Sequence, residues 1–213
     1  MTVFGAEHVR RALKRAAERM VALRDELNAL DAAMGDGDTG LSVSKGGTAL
    51  LEYVENTPLA EGDDLGKYLA NAGMALNRAA PSTMGTLLAT ALMRMGREVK
   101  GAATLDVPAL ARMLEAAAAG IQERGKAKLG DKTILDALIP ASQAFGAAVQ
   151  SGQSLAQAAQ AMLAAARKGR DDAIPLRSNV GRASWVGERT EGKLDPGTVL
   201  CVALLEALTE EQA

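Results

Sequence analysis

Apolar residues recur along this chain at steps of three and four positions, which is the spacing of amphipathic helices. The predicted helices occupy residues 9–30, 41–54, 64–77, a segment opened by Pro81-Ser82, 106–125, a segment capped by Asp131, 154–167 closed by Lys168-Gly169, and about 196–208. Pro140 is expected to bend or break the helix that follows Asp131. No fixed-period repeat or linker interrupts the pattern, so residues 1–213 are predicted to form one all-α domain.

Four connections between these helices are candidates for function: residues 31–40, 79–85, 125–133 and 178–197. The last is long for a link between two helices, and it contains four glycines. Long loops of this kind are more often functional than idle. The chemistry is therefore expected in the loops, while the helices supply the core.

Composition argues against two kinds of partner. The formal net charge is -2, which gives no bulk positive charge to hold nucleic acid. Aromatic residues make up 2% of the chain, too few for a base-stacking surface. The longest uncharged stretch, residues 137–166, contains Pro140 and five glutamines and is not expected to span a bilayer. We expect neither a nucleic-acid nor a membrane partner.

The single cysteine and the single histidine are both expected to be structural rather than catalytic. Cys201 lies in an apolar run, so it is predicted to be a small buried side chain, and a lone cysteine excludes an internal disulfide. This cysteine usage makes the reducing cytoplasm the expected compartment. His8 lies among arginines on the first helix and is predicted to face solvent.

The loop at residues 31–40 concentrates negative charge. Asp31, Asp36 and Asp38 fall within eight residues, and three glycines in the same stretch allow the chain to fold back sharply. Three carboxylates at one point repel each other unless a cation compensates them. Oxygen-only ligands favour Mg²⁺ or Ca²⁺, although the spacing is not that of an EF-hand. The alternative is an Asp/Gly-rich turn that merely caps helices.

A helix is predicted to begin directly after these aspartates, at Thr39-Gly40-Leu41-Ser42. The N-terminus of a helix presents free N–H groups and partial positive charge, which suits phosphate. A Mg-nucleotide site needs both metal ligands and a group that binds phosphate, and this stretch of sequence offers the two side by side. The chain has neither a Walker motif nor a Gly-x-Gly-x-x-Gly fingerprint, so the site is not of those types.

Four separate motifs give a resemblance to one known family. They are Leu30-Asp31 with Gly35-Asp36-Gly37-Asp38-Thr39-Gly40, Gly125-Lys-Ala-Lys-Leu-Gly-Asp-Lys-Thr133 with Asp136-Ala137, Gly181-Arg-Ala-Ser-Trp-Val-Gly-Glu-Arg189, and Asp195-Pro196-Gly197. In this order they closely resemble the dihydroxyacetone kinase L family, the nucleotide-binding subunit or domain of dihydroxyacetone kinases. The resemblance covers essentially the whole chain.

The resemblance implies a barrel of about eight antiparallel up-and-down helices with the nucleotide, ADP or ATP, at one end. It implies two Mg²⁺ ions that bridge Asp31, Asp36 and Asp38 to the phosphates. The implied nucleotide-binding positions are Thr39, Gly40, Leu41, Ser42, Ala79, Ala80, Ser82, Thr83, Gly125, Ile134, Arg182, Asp195, Pro196 and Gly197. Arg182 is also the implied catalytic residue, since a guanidinium fork suits phosphate oxygens.

Two positions depart from the family pattern. The second phosphate loop of the family is often Gly-Gly-x-Ser-Gly, whereas Pro81 here has no N–H to donate. Ser82 and Thr83 offer hydroxyls instead, and the alternative for Ser82 is a plain helix cap. Thr39 stands where some members have histidine, which leaves the phosphoryl donor open.

Several charged and aromatic residues of the motifs have more than one possible role. Arg182 would otherwise form a surface ion pair with Glu188 or Glu191. Lys132 and Arg189 are weaker phosphate candidates, because a lysine after a capping aspartate is usually solvated. Trp185 is expected either to shield the site or to pack its loop.

The leading hypothesis is a kinase subunit that delivers phosphoryl to dihydroxyacetone or a similar small ketose or polyol. In the family the acceptor is held covalently, through a histidine, on a separate K-type subunit, so this chain is expected to need that partner. One branch of the family uses ATP; in the other, ADP stays bound and a phosphotransferase-system protein rephosphorylates it. A nucleotide-dependent regulatory or binding module without transfer activity is the alternative. A metal-dependent phosphatase is disfavoured, because no base stands out near the metal ligands.

Overall fold

The computed structural model describes residues 2–181 and 183–209, without the side chain of Val186. In this part of the chain, the helices are α1 Ala6–Ala22, α2 Arg24–Ala32, α3 Thr39–Asn56, α4 Leu65–Ala79, α5 Thr83–Glu98, α6 Val107–Gly125, α7 Ile134–Gln150, α8 Leu155–Asp172, α9 Ala183–Val186 and α10 Pro196–Thr209. A 3₁₀ turn covers Gly187–Thr190, and two short strands, β1 Val3–Phe4 and β2 Leu105–Asp106, pair antiparallel. None of the described helices is long and apolar enough to span a membrane.

The long helices pack in a closed order. From α3 to α8 each packs against the next, α10 returns against α7, α8 and α1, and α1 packs on α3. The core lies inside this ring and includes Leu13, Val43, Leu76, Leu135 and Leu200, all of them buried. The predicted all-α class is confirmed. The closed order supports the expected barrel, whose shape stays a prediction.

Side-chain caps fix where most of the helices begin. The side chains of Asp64, Ser82, Asp106 and Ser154 each accept a hydrogen bond from a backbone N–H in the first turn of the helix that follows. These caps stabilise a helix by about 1 kcal/mol each. The starts predicted at residues 64, 82, 106 and 154 are therefore confirmed.

The predicted cap of α7 is wrong. Thr133, not Asp131, caps this helix, and Asp136 completes a capping box with it. The Asp131 carboxylate instead accepts the N–H of Lys128 at 2.8 Å, so it closes the turn before the helix. The first predicted helix also divides in two at Leu23, between α1 and α2.

Pro140 neither ends nor breaks α7, which continues to Gln150. A proline leaves the carbonyl four residues earlier, here that of Asp136, without its helical N–H partner. Gly169 of α8 lies against this same carbonyl, so closely that a Cβ on Gly169 would overlap it. Gly169 is therefore a packing residue inside α8, which runs on to Asp172, and the predicted helix end at Lys168-Gly169 is wrong.

Candidate functional site

The four loops singled out in the sequence follow α2, α4, α6 and α8. Long-range contacts tie three of these loops together. Lys193 Nζ donates to the carbonyl of Ala33 at 2.7 Å, and Asn179 N donates to the carbonyl of Asp131 at 3.2 Å. The fourth loop, at residues 79–85, leads into α5, where Leu87 lies against Gly125 at the end of α6. We call this part of the molecule the loop end.

The structure brings together the three aspartates of the first loop. One carboxylate oxygen from each of Asp31, Asp36 and Asp38 lies within 4.8 Å of the others. Asp31 is only 9% exposed, and its Oδ2 accepts the N–H groups of Asp38 and Thr39, each at 3.0 Å. Asp36 and Asp38 are exposed. An all-carboxylate set with two ligands open to solvent fits a hard divalent cation such as Mg²⁺.

The start of α3 is less open to phosphate than its sequence suggests. The N–H of Thr39 already bonds Asp31, and the N–H of Leu41 donates to Asn28 Oδ1 at 3.0 Å. Gly40 packs so closely on α2 that a Cβ there would overlap the carbonyl of Arg24. The hydroxyls of Thr39 and Ser42 remain as polar groups for a ligand, so phosphate binding here stays a prediction. Asn28 was missed, because only the folded loop places it beside Leu41.

The second predicted phosphate loop begins α5. Ser82 Oγ accepts the N–H of Gly85 at 3.1 Å, which is the plain helix cap considered as the alternative. Ala80 is buried, Ala79 and Ser82 are partly buried, and Thr83 is exposed. A phosphate role for these residues stays a prediction, with Thr83 the most accessible of them.

Backbone N–H groups surround the acidic side chains of the third loop. Asp136 is 4% exposed, and its two oxygens accept the N–H groups of Gly130 at 2.6 Å and Thr133 at 2.7 Å. Gly125 ends α6 and is partly buried, and Ile134 begins α7 and is buried. These charge-assisted hydrogen bonds stabilise the fold of the loop.

Lys132 is buried, so the expectation that it is solvated is wrong. Its side chain is 2% exposed, and its backbone φ of 60° lies in the left-handed region. Nζ donates to the carbonyls of Ile174 at 2.8 Å, Leu176 at 2.9 Å and Thr190 at 2.6 Å. Burial lowers the pKa of Lys132, while the charges of Asp195 and Glu191 raise it. The local sequence could not predict the burial of Lys132, because the carbonyls that accept its hydrogen bonds belong to residues 42 to 58 positions away.

Asp195, Pro196 and Gly197 are buried where α10 begins. Asp195 Oδ2 accepts the N–H of Thr198 at 2.7 Å. Burial raises the pKa of Asp195 to about 7; the Thr198 N–H opposes this shift and the charge of Asp136 adds to it. A Cβ on Gly197 would lie 2.9 Å from the backbone nitrogen of Ile134, so this glycine lets α10 approach the start of α7. Nucleotide contact at these positions stays a prediction.

Arg182 lies outside the described residues, so its predicted role stays a prediction. Of its two alternative partners, Glu188 faces Arg177, with Nη1 and Oε1 3.8 Å apart. Trp185 is 85% exposed, so its ring does not pack the loop. His8 is exposed and Cys201 is buried, as predicted, and burial raises the pKa of the Cys201 thiol to about 12.

The fold and the site define an all-α protein with a carboxylate cluster in the loops at one end. The DAK2 domain family matches residues 33–210. The chain belongs to this family.

Named relatives agree with this membership. The chain is 30% identical over 182 residues to the "PEP-dependent dihydroxyacetone kinase, ADP-binding subunit DhaL" of Escherichia coli K12, which covers 85% of both chains. It is 32% identical over 196 residues to the corresponding subunit of kinase 1 of Listeria innocua, covering 92% of this chain and 91% of the relative.

A solved structure shares the fold. The dihydroxyacetone kinase of C. freundii superposes with a TM-score of 0.75 at 24% identity, over 98% of this chain and 35% of the kinase. The same kinase, crystallised with AMP-PNP and Mg²⁺, gives a TM-score of 0.73. This chain therefore spans about a third of that kinase's length.

Proposed function

We propose that this chain is the Mg-nucleotide-binding subunit of a dihydroxyacetone-type kinase. On this proposal, residues 1–213 form one L-type domain that works in the cytoplasm. It binds ADP or ATP and passes phosphoryl to a small ketose or polyol held on a separate K-type subunit. The observation that carries the proposal is the cluster of Asp31, Asp36 and Asp38, in a chain whose relatives in Escherichia coli and Listeria innocua are named ADP-binding subunits.

The three aspartates would hold the divalent cations, of which we propose two. When bound, Mg²⁺ neutralises phosphate charge and aligns the transferring group. Two backbone N–H groups bond Asp31 Oδ2 and so fix the orientation of that carboxylate. Both hydrogen bonds go to Oδ2, so Oδ1 is the oxygen that would bind a cation. Asp36 and Asp38 face solvent, the direction from which a nucleotide arrives. Arg182 would bind the phosphoryl group as charge develops on it.

On this proposal, the acceptor is presented by a K-type module outside residues 1–213. A ketose held covalently through a histidine needs that side chain at the phosphoryl group, but His8 lies near the start of α1. The α1–α2 segment reaches the loop end only at Ala32, after about 24 further residues. A K-type partner would therefore present the acceptor at the loop end. A phosphotransferase-system protein would recharge bound ADP if the chain follows that branch of the family.

Calorimetry and a coupled assay test the proposal together. The purified chain should bind Mg-ADP or Mg-ATP, and chelation of Mg²⁺ should abolish this binding. With Mg-ATP and dihydroxyacetone alone it should form no product above background. Added K-type subunit should restore turnover in the ATP branch, and the phosphotransferase protein should be needed as well in the other. Absence of Mg-dependent nucleotide binding, or robust turnover by the lone chain, would overturn the proposal.

The role of Arg182 is tested by measuring kcat and nucleotide affinity separately. In the reconstituted enzyme, Arg182→Ala should lower kcat more than it weakens nucleotide binding, because the residue is assigned to charge that develops in the transition state. Arg112→Ala is the matched control, since Arg112 is an exposed arginine of α6 paired with Glu98. An Arg182→Ala effect confined to nucleotide affinity would remove the assigned role.

A further inference from the structure

The segment 173–195, which joins α8 to α10, has few means of staying folded. Its buried residues among those described are Ala173, Ser178, Gly187, Thr190 and Asp195, which are small or polar. Of its larger apolar side chains, Trp185 and Leu194 are exposed, and Ile174, Leu176 and Val180 are only partly buried. Apolar burial is the usual source of loop order, and here it contributes little. Polar contacts must therefore hold this segment in place.

The ammonium of Lys132 supplies the most concentrated of these contacts. It reaches across from the α6–α7 turn and bonds the carbonyls of Ile174, Leu176 and Thr190. An ammonium carries three protons, so its donor capacity is fully used. The three carbonyls come from both ends of the segment, so one cation closes the intervening chain into a loop.

A second group of hydrogen bonds surrounds this cation. Thr190 Oγ1 accepts the N–H of Ser178 at 3.0 Å and donates to the carbonyl of Gly187 at 2.8 Å. Asn179 bonds the backbone and the carboxylate of Asp131, the residue before Lys132. The α6–α7 turn thus holds the segment at several points. Lys193, near the end of the segment, bonds the carbonyl of Ala33 in the aspartate loop.

We propose that Lys132 is a positioning residue for the nucleotide site. Its buried ammonium pins segment 173–195 to the α6–α7 turn, and through that segment it sets the distance between the aspartate loop and the residues around Trp185. Lys132 itself donates to backbone carbonyls and does not touch the nucleotide. The affinity consequence rests on the proposed function, whereas the pinning of the segment does not.

Removal of the charge should free the segment. Three converging carbonyl oxygens repel each other, and without a donor each is a buried acceptor lacking its partner. Lys132→Met keeps the length of the side chain and removes all three donors. Lys126→Met is the matched control, because Lys126 also has a positive φ, of 55°, and is exposed in the same loop.

Two measurements without nucleotide test the pinning. Trypsin should cleave Lys132→Met within residues 173–195 at least 10-fold faster than the parent, at sites such as Arg177 and Lys193. Trp185 is the only tryptophan of the chain, so its fluorescence reports on this segment directly. Because the ring is already exposed, its fluorescence anisotropy reports the mobility of the segment, and this anisotropy should fall in Lys132→Met and not in Lys126→Met. Cleavage and fluorescence equal to those of Lys126→Met would overturn the proposal.

Nucleotide affinity then tests the positioning role. Well below the melting temperature, Lys132→Met should bind Mg-ADP at least 10-fold more weakly while its circular dichroism stays helical. A purely structural role would lower the melting temperature and leave affinity and segment cleavage unchanged, which would contradict the proposal. If the parent itself binds no Mg-ADP, the proposed function fails, and cleavage and fluorescence still decide whether Lys132 pins the segment.

Lys132→Arg keeps the proposal testable if Lys132→Met does not fold. It preserves the buried charge, but a planar guanidinium does not direct three bonds to carbonyls that surround a single point. We expect it to fold and to be cleaved in the segment about 3-fold faster than the parent. Cleavage at the parental rate and unchanged Trp185 anisotropy would overturn the proposal.

Discussion

Two clusters of charged side chains lie at the loop end, and they are built in opposite ways. Asp31, Asp36 and Asp38 have the same sign, lie within 4.8 Å of each other, and are in part exposed. The other cluster, of Lys132, Asp136 and Asp195, combines opposite signs, is buried, and bonds backbone groups. The first arrangement is an all-carboxylate set of the kind that binds a hard divalent cation, whereas the second includes a cation of its own, Lys132.

The difference in charge arrangement distinguishes a cluster suited to binding a ligand from a cluster that stabilises the fold. A cluster of like charges costs stability in the free protein and gains it when a ligand arrives. A buried, compensated cluster contributes to structure at all times, and removal of one member leaves its backbone partners without hydrogen bonds. The segment 173–195 contacts both regions: Lys132 donates to its carbonyls, and its own Lys193 donates to the carbonyl of Ala33 in the aspartate loop. Variants that affect one cluster and spare the other will therefore sharpen or break the comparison.

The largest effect is expected from the exposed cluster. Asp36→Asn should weaken Mg-ADP binding at least 100-fold, or about 2.7 kcal/mol, because the phosphate charge loses part of its compensation. The helical circular dichroism should stay as in the parent. Calorimetry measures the affinity, and Asp172→Asn, at an exposed aspartate of α8, should bind as the parent does. Parental affinity in Asp36→Asn would show that the cluster holds no metal–nucleotide complex.

The next prediction tests the buried cluster through the contact between α8 and α7 at Asp136. Gly169→Ala places a methyl group against the carbonyl of Asp136, which should push α8 away and lower the free energy of unfolding by about 2–3 kcal/mol. Thermal unfolding measures this. The control is Gly146→Ala on α7, where a Cβ meets nothing within 4 Å; it should be neutral or stabilising by up to about 1 kcal/mol. Equal melting temperatures for the two variants would contradict the close approach.

A pH effect is expected from Asp195. Its pKa of about 7 in the folded protein lies above the value of about 3.9 for an unfolded chain. The folded state thus keeps a proton that the unfolded state releases between about pH 4 and 7. The stability from this group is complete below pH 4 and is lost as the pH rises through 7.

Asp195→Asn removes this titration and keeps an oxygen to accept the Thr198 N–H. The stability of the parent relative to Asp195→Asn should fall by about 2 kcal/mol between pH 5 and 8. Chemical unfolding at several pH values measures the difference. A difference that does not change with pH, or that grows as the pH rises, would mean that Asp195 is ionised throughout.

The smallest effect compares one motif at the two ends of the molecule. Thr133 and Ser154 both form capping boxes, at the starts of α7 and α8. Either residue changed to alanine should cost about 1 kcal/mol of stability. Only Thr133→Ala should also weaken Mg-ADP binding, by about 3-fold, because Thr133 follows Lys132 directly. An equal loss of affinity in both variants would mean that stability, and not the loop end, governs binding.

Local sequence predicted most of the helices, because apolar spacing and caps act over a few residues. The starts of α4, α5, α6 and α8 follow from Asp64, Ser82, Asp106 and Ser154, each of which bonds a backbone N–H three residues ahead. The wrong end predicted for α8 lies where a distant contact decides. Whether Gly169 ends α8 depends on its packing against Asp136, which is 33 positions earlier in the printed sequence.

In the candidate site too, some features follow from the sequence and others only from the tertiary structure. The sequence by itself determined that three aspartates and two intervening glycines fall within eight residues, and the turn that follows α2 brings their carboxylates together. Only the tertiary structure decided that Asp31 and Asn28 occupy N–H groups at the start of α3. It also decided that Lys132 is buried, since a lysine side chain leaves water only where several acceptors replace its hydration. Those acceptors come from residues 174, 176 and 190, and only the packing of the helices brings them to residue 132.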